Sequence, residues 1–412
     1  MRKFTAAFAF AAIFAVIANA AETGTKLVLF TPGTTAEQRR SQIEALGGKL
    51  IADYEFINES LADFSNRAAG DIRAAIRAGR APNASDVQDN QRRKWLNGSA
   101  YGSFPTPAQI AGRASVRIDA GDMAAPAFSE ARPADSAADA KIPWGIARVG
   151  AKAAWAKGLD GSGVKVGIVD TGIDLKHPDL SGNIAATYNA VNHTNNGADD
   201  QGHGTHVAGT VAGMGAGSDG VFGVAPKAKI YAAKVLGADG QGDDSAVVDG
   251  INWTIGQHVK VINMSLGGPE DVPAFHQAVK AAADAGIAVV CAAGNDYGAA
   301  VSYPAAYPEA IAISASTSGD GLAFFSSVGP QIAFIAPGAQ IYSTKNGGGY
   351  TTMDGTSMAS PHMAGLAALA VQAGASDGKA VRDMLKAAAS KLPRLSQDEQ
   401  GAGLVDAGKI GK

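Results

Sequence analysis

From Val164 onward the sequence repeats one phrase. A short apolar run ends in glycine or a small polar residue, and a helical pattern follows it. The runs are Val164–Val169, Ile230–Leu236, Val259–Met264, Ile287–Ala292, Ala310–Ile313 and Ile332–Ile335. Most are apolar at successive rather than alternate positions, which suits central strands of a parallel sheet covered on both faces. Between them, His206–Ala212, Ala246–Ile255, Ala274–Ala285 and Ser360–Gln372 carry helical spacing. The pattern predicts an α/β fold, a doubly wound, mostly parallel sheet with helices on both faces. Sites in such folds lie at the carboxyl ends of strands. Polar residues punctuate those ends: Asp170 after the first run, Ser265-Leu266-Gly267-Gly268 after the third, Gly294-Asn295 after the fourth.

The first third reads differently. Residues 1–140 hold 12 Arg and 4 Lys, residues 141–412 hold 3 Arg and 16 Lys, and all seven His lie at or beyond His177. A boundary near 140 follows. Met1-Arg2-Lys3, the apolar stretch Phe4–Ala18 and Ala18-Asn19-Ala20 form a basic, an apolar and a small-x-small segment, the layout of an export signal. Lys26–Phe30 reads as a strand, Thr35–Leu46 as a helix, and Leu50–Ile57 and Ser60–Phe64 as paired strands. Asn66 caps a second helix with Ile72 and Ile76 on one face, and Val116–Ile118 reads as the last strand. The order β-α-β-β-α-β makes a small α+β, ferredoxin-like unit. Gly79–Pro107 reads as an insertion or loop, and Ala124–Ala140 as a flexible linker. The expected division is 1–20 signal, 21–125 small unit, 126–140 linker and 141–412 α/β domain.

Composition narrows the function. With 46% hydrophobic and 18% charged residues the chain is not disordered. A net charge of −3 gives no reason to expect a nucleic-acid partner. The single cysteine, Cys291, excludes an intrachain disulfide and a cysteine-rich metal site. An exported chain of this kind must be stabilised by packing or bound ions.

Three glycine-flanked segments hold catalytic residue types: Asp170-Thr171-Gly172-Ile173-Asp174, Gly202-His203-Gly204-Thr205-His206-Val207-Ala208-Gly209 and Gly355-Thr356-Ser357-Met358-Ala359-Ser360-Pro361-His362. A nucleophilic serine needs a base for its proton and a carboxylate to orient that base. An Asp at a strand end, with a His and a Ser at two helix starts, can supply them. Other readings of the same residues fare worse. His203 and His206 lack the glutamate of H-E-x-x-H, because Gly204 stands there. Gly215, Gly217 and Gly220 follow a helix rather than a strand, against dinucleotide binding. Ser357 is not in a G-x-S-x-G elbow, since Ala359 replaces the second glycine. Cys291 lies inside an apolar strand, as an inert packed thiol would.

These segments, in the order Asp, His, Ser, resemble the subtilisin-type serine peptidases, the subtilase family, from roughly Ile142 to the C-terminus. The resemblance implies a triad of Asp170, His203 and Ser357, with Asn295 as oxyanion-hole side chain. It implies that Ser265, Leu266, Gly267 and Gly268 on one edge, and the segment around Gly240 and Gly242 on the other, clamp an extended peptide. Gly294 and Ser302 would help wall an apolar-tolerant first pocket, shallower because relatives often carry glycine at the Ser302 position. Asp296 would sit at its lip, and Asp243 and Asp244 near a further subsite. Those carboxylates either favour basic substrate residues or are ordinary solvated loop charges. Asp179 matches a calcium-ligating carboxylate of many relatives. The adjoining loop Gly213–Gly220 carries glycines and no Asn, leaving carbonyls and Asp219 as further oxygens. Calcium is the only cofactor implied; no organic cofactor is expected. The first third resembles the family's inhibitor-type propeptide by pattern and position. The expectation is a secreted (extracellular or periplasmic), monomeric serine endopeptidase acting on extended peptide or protein substrates. Its own propeptide would inhibit it until an autocatalytic cut between Gly121 and Ile142, and the mature form would engage neither membrane nor nucleic acid. A catalytically silent binding protein of the same fold is the alternative, and organophosphate labelling of Ser357 separates the two. A lipase or esterase fails on motif order.

Overall fold

The computed structural model describes residues 24–65, 67–96 and 141–411. The signal segment, Asn66, the strand expected at Val116–Ile118, the linker 126–140 and nearly all of the interval expected to hold the maturation cut lie outside the described residues.

The N-terminal unit is a four-stranded antiparallel sheet in the order β2-β3-β1-β4. Its strands are β1 (Thr25–Phe30), β2 (Lys49–Tyr54), β3 (Glu59–Asp63) and β4 (Ala84–Asp89). Helix α1 (Ala36–Ala45) starts at a capping box between Thr35 and Gln38, and α2 (Ala69–Arg77) presents Ile72 inward. The fourth strand is β4, within the stretch read as a loop. Only Ala84 and Val87 of β4 are apolar, so its sequence carries almost no strand signal. Along β1 successive side chains face opposite ways. Val28 and Phe30 pack under the helices with Ile43, Phe64 and Ile72, whereas Leu27 and Leu29 point to the other face. An antiparallel sheet usually leaves that second face wet. Here the second domain covers it.

That domain is built on a nine-stranded sheet in the order β16-β17-β13-β12-β11-β10-β6-β8-β7, with every neighbouring pair parallel except β16 with β17. The central members are β6 (Lys165–Asp170), β8 (Lys229–Lys234), β10 (Val261–Met264), β11 (Ala288–Ala292), β12 (Ile311–Ser316) and β13 (Ile332–Pro337). β7 (Ile184–Asn189), β16 (Ala389–Ser390) and β17 (Leu404–Val405) complete it. β7 is a half-exposed edge strand with no long apolar run, and the sequence reading lacks it.

Short helices α3 (Trp144–Arg148) and α4 (Ala151–Trp155) open the domain. Helices α5 (His203–Ala212), α8 (Thr356–Gln372) and α9 (Gly378–Ala388) bury their apolar residues in one core. α6 (Asp244–Gly256) and α7 (Pro273–Asp284) bury theirs in a second core. That second core also takes in Leu27, Leu29, Tyr54, Ile57 and Leu61 of the N-terminal sheet. Strand order reverses at β6, which lies between β8 and β10. A crevice at such a point, on the carboxyl side, is where these folds place their sites.

Neither α6 nor α7 carries a side-chain cap of its own. The N-terminal unit supplies both. Gln88 Oε1 accepts from the Ala274 N–H at 2.9 Å, and Asn90 Oδ1 from the Ser245 N–H at 2.9 Å. Gln277 on α7 donates in return to the Ile57 and Asn58 carbonyls.

Candidate active site

Asp170 is the last residue of β6 and fully buried. Its Oδ1 accepts from the Thr171 N–H at 2.7 Å and faces His203 Nδ1 at 2.8 Å, while Oδ2 has no hydrogen-bond partner. His203 is the first residue of α5. Burial alone would lower its pKa, but the charge and hydrogen bond of Asp170 outweigh that, and it lies above the ordinary histidine value. Glycines on either side are required for different reasons. Gly202 has φ +108°, and a Cβ on Gly204 would collide with the Gly172 carbonyl oxygen.

Asp199 holds this helix start in place, a role the sequence reading missed. Its carboxylate accepts from the Thr171 hydroxyl (2.9 Å), the Gly202 N–H (2.8 Å), the Thr205 N–H (3.0 Å) and the Thr205 hydroxyl (2.6 Å). Thr171 also receives the Gly204 N–H at 2.9 Å, so strand end and helix start are laced together beside the His203–Asp170 pair. An aspartate four residues before the histidine, ahead of a glycine, was the available signal.

Ser357 is the second residue of α8, and α8 packs against α5. Its hydroxyl donates to the Ser265 carbonyl at 3.1 Å, and the Ser265 hydroxyl donates to the Ser357 carbonyl at 2.8 Å. Pro361 explains the second bond. It stands four residues into the helix from Ser357 and has no N–H, so the Ser357 carbonyl loses its helical donor. Ser265 replaces that donor and ties the serine to the end of β10. Asn295 follows β11. Its Oδ1 accepts from the Thr356 N–H (2.9 Å) and hydroxyl (3.0 Å), which orients the amide beside Ser357.

A pocket opens next to Ser357. It is lined by Leu266, Gly267, Ala292, Gly294, Asn295 and Ser302, with Thr356 and Ser357 on one side and Trp95 at its mouth. The walls are those expected from the sequence. The Ser302 hydroxyl lies 3.5 Å from Asp296 Oδ2. Gly268 exchanges hydrogen bonds with Tyr303, inside the wall.

The groove leading to this pocket is occupied by the chain itself. β5 (Arg92–Lys94) pairs antiparallel with β9 (Gln241–Asp243), with Arg93 opposite Gly242. Beyond it the Gly240 carbonyl accepts from the Trp95 and Leu96 N–H groups at 3.3 and 3.4 Å, and the Trp95 carbonyl accepts from the Gly267 N–H at 2.9 Å. The two edges named from the sequence, Gly240–Gly242 and Ser265–Gly268, thus hold an extended segment between them as an added strand.

Asp179 is buried as well. Its carboxylate accepts from the Ala216 N–H, the Val221 N–H (2.7 Å) and the Tyr350 hydroxyl (2.9 Å). The carbonyls of Gly215 and Gly217 accept from the Lys141 ammonium. Among the described residues no three His, Cys, Asp or Glu gather to hold a metal. Three donors converge on the carboxylate and an ammonium already sits on the loop carbonyls, so this set does not fit the calcium expected at Asp179.

The remaining histidines are structural. His206 Nε2 bonds the Ile341 and Thr351 carbonyls, and burial depresses its pKa to about 3. His362 bonds the Met358 carbonyl, and burial holds its pKa at about 4. Burial pushes the Cys291 thiol up, leaving it un-ionised.

A family model described as the subtilase family matches residues 161–403. The chain is 45% identical over 267 residues to Subtilisin BL of Lederbergia lenta, which covers 65% of this chain and 97% of that protein. It is also 45% identical over 267 residues to the alkaline protease of Alkalihalobacillus alcalophilus, covering 69% of that protein. Against Subtilisin NAT of Bacillus subtilis subsp. natto, identity is 45% over 256 residues and 67% of that protein.

Proposed function

The chain belongs to the subtilase family and is a serine endopeptidase, and on that premise we propose that Ser357, His203 and Asp170 carry its chemistry. The observation that carries the reading is the His203–Asp170 pair, 2.8 Å apart and buried at the end of the central strand. The Ser357 hydroxyl turns from the Ser265 carbonyl to His203, gives up its proton and attacks the peptide carbonyl. The acyl-enzyme forms as His203 protonates the leaving amine, and water then releases the acid. Asp170 holds the imidazole by Nδ1 and stays ionised. The Asn295 side-chain amide and the Ser357 N–H receive the oxyanion. Small walls at Gly267, Ala292 and Gly294 favour broad acceptance of apolar side chains in the first pocket.

The enzyme is made with an export signal at residues 1–20 and acts outside the cytoplasm as a monomer on extended peptides or proteins. Residues 21–125 are its inhibitor, which blocks the groove with Arg92–Leu96. The bond this binding mode delivers to Ser357 follows soon after Leu96. A cut between Gly121 and Ile142 is then a second event that sets the final N-terminus. Lys141, rather than calcium, ties the loop 213–221, so the second cut must leave Lys141 on the enzyme.

Ser357→Ala tests the assignment. The variant should fold, remain at full length and cleave no peptide, while the parent takes an organophosphate on Ser357. Cleavage by the purified variant, or a parent that resists labelling, would overturn it. Asn295→Ala should retain about 10⁻²–10⁻³ of kcat, the loss known for such a donor in a subtilisin rather than one derived from this geometry.

A further inference from the structure

The segment in the groove is basic: Arg92, Arg93 and Lys94 precede Trp95. Its two arginines meet the second domain differently. Arg92 faces Asp239 at 3.0 Å and Asp243 at 3.9 Å, where all three side chains are about half exposed. Such pairs contribute little. Arg93 points the other way, on the same face of the strand as Trp95. Its Nε donates to Asp244 Oδ1 at 2.6 Å, and its Nη1 pairs with Glu270. Asp244 opens α6 and its side chain is fully buried. Its Oδ2 is sealed from solvent without a hydrogen-bond partner. Burial drives the Asp244 carboxyl up to about 6, against the Arg93 bond and charge that lower it. Two residues on, Trp95 packs edge-to-face on Phe275, with ring centroids 5.2 Å apart, and donates from Nε1 to the Gly242 carbonyl at 3.0 Å.

We propose that Asp244 and Glu270 form an arginine-selective subsite, so that favoured substrates carry arginine two residues before the side chain that packs on Phe275. This rests on the peptidase reading above, with Arg92–Leu96 taken as the image of a bound substrate. The two carboxylates come from separate segments and are bridged by one planar guanidinium. A fork with several donors can span them where a lysine ammonium cannot. A buried carboxylate with an unused oxygen is costly unless a cation arrives, so the preference is built into the α6 start rather than added by loose surface charge. The exposed Asp239 and Asp243 make no comparable demand on the residue at the Arg92 position.

The test uses the processed enzyme and internally quenched peptides with the sequence of residues 90–100. Replacing arginine by glutamine at the Arg93 position should lower kcat/KM about 10-fold or more, the size of a charge-assisted hydrogen bond. The same change at the Arg92 position should stay within about 2-fold. Asp244→Asn should bring the Arg/Gln ratio at the first position close to one, and lysine there should behave like glutamine in the parent. Glu270→Gln, at an exposed site, should narrow the ratio and covers the case in which Asp244→Asn fails to fold. Equal cleavage of the arginine and glutamine peptides by the parent, or a ratio untouched by either variant, would overturn the subsite while leaving the peptidase reading intact. Failure to cleave any peptide would overturn the peptidase reading itself.

Discussion

Ser265 and Ser357 exchange two hydrogen bonds because Pro361 withdraws the donor that a regular helix would give the Ser357 carbonyl. The proline therefore makes the position of the nucleophile depend on a residue 92 positions away in the sequence. Ser265→Ala should lower the unfolding free energy by about 1–3 kcal/mol, the cost of an unmet buried acceptor. Chemical denaturation of the Ser357→Ala background checks this, and an unchanged midpoint would show that another group satisfies the carbonyl. Asp170, His203, Ser357 and Asn295 were legible as candidates because each sits in a glycine-rich motif at a predicted strand or helix end. Asp199 was not, although it makes more bonds to the α5 start than Asp170 does. Its job is done through backbone N–H groups that no sequence pattern displays.

Elements were legible in proportion to how much apolar surface they bury. β10, β11 and β12 are buried at every position and stand out. β4 and β7 alternate with polar or exposed residues and do not. The loop 213–221 illustrates the opposite error, a motif position read too literally. Asp179 stands where a calcium ligand is expected, yet the partners that decide its role, Lys141 and Tyr350, lie far off in the chain. A lysine ammonium on the Gly215 and Gly217 carbonyls does at one end of the loop what a cation would do. Lys141→Met should destabilise the enzyme by about 1–2 kcal/mol. Added calcium should not restore it, and the parent's melting temperature should not change with a chelator. A chelator-sensitive parent would count against this account. The Phe222 N–H bonds the Lys141 carbonyl at 2.9 Å, so backbone and side chain of one residue pin both ends of the loop.

At the scale of the molecule, the two domains meet over one buried carboxyl group. Glu59 lies opposite Leu29 and Tyr54 on the face of the N-terminal sheet that α6 and α7 cover. Neither of its oxygens has a hydrogen-bond partner, and burial raises its pKa well above the ordinary value. The titratable groups beside it are the Tyr54 hydroxyl and, on α6, Asp249, which is bonded to the Tyr188 hydroxyl and to His193. The folded, docked chain keeps a proton that the separated or unfolded chain releases. Stability is therefore undiminished below the ordinary glutamate range and falls as pH rises through and above it. Glu59→Gln in the Ser357→Ala chain should raise the melting temperature at pH 8 and leave it unchanged at pH 4. Equal shifts at both pH values would remove Glu59 from the account. Covalent continuity sets the other control on this interface. While one chain carries both domains, Arg92–Leu96 meets its groove at an effective concentration on the order of millimolar. Once the connecting chain is cut, the same contacts must hold at whatever concentration the released domain reaches outside the cell. Dilution is then an activator in its own right, and export into a large volume completes what cleavage begins.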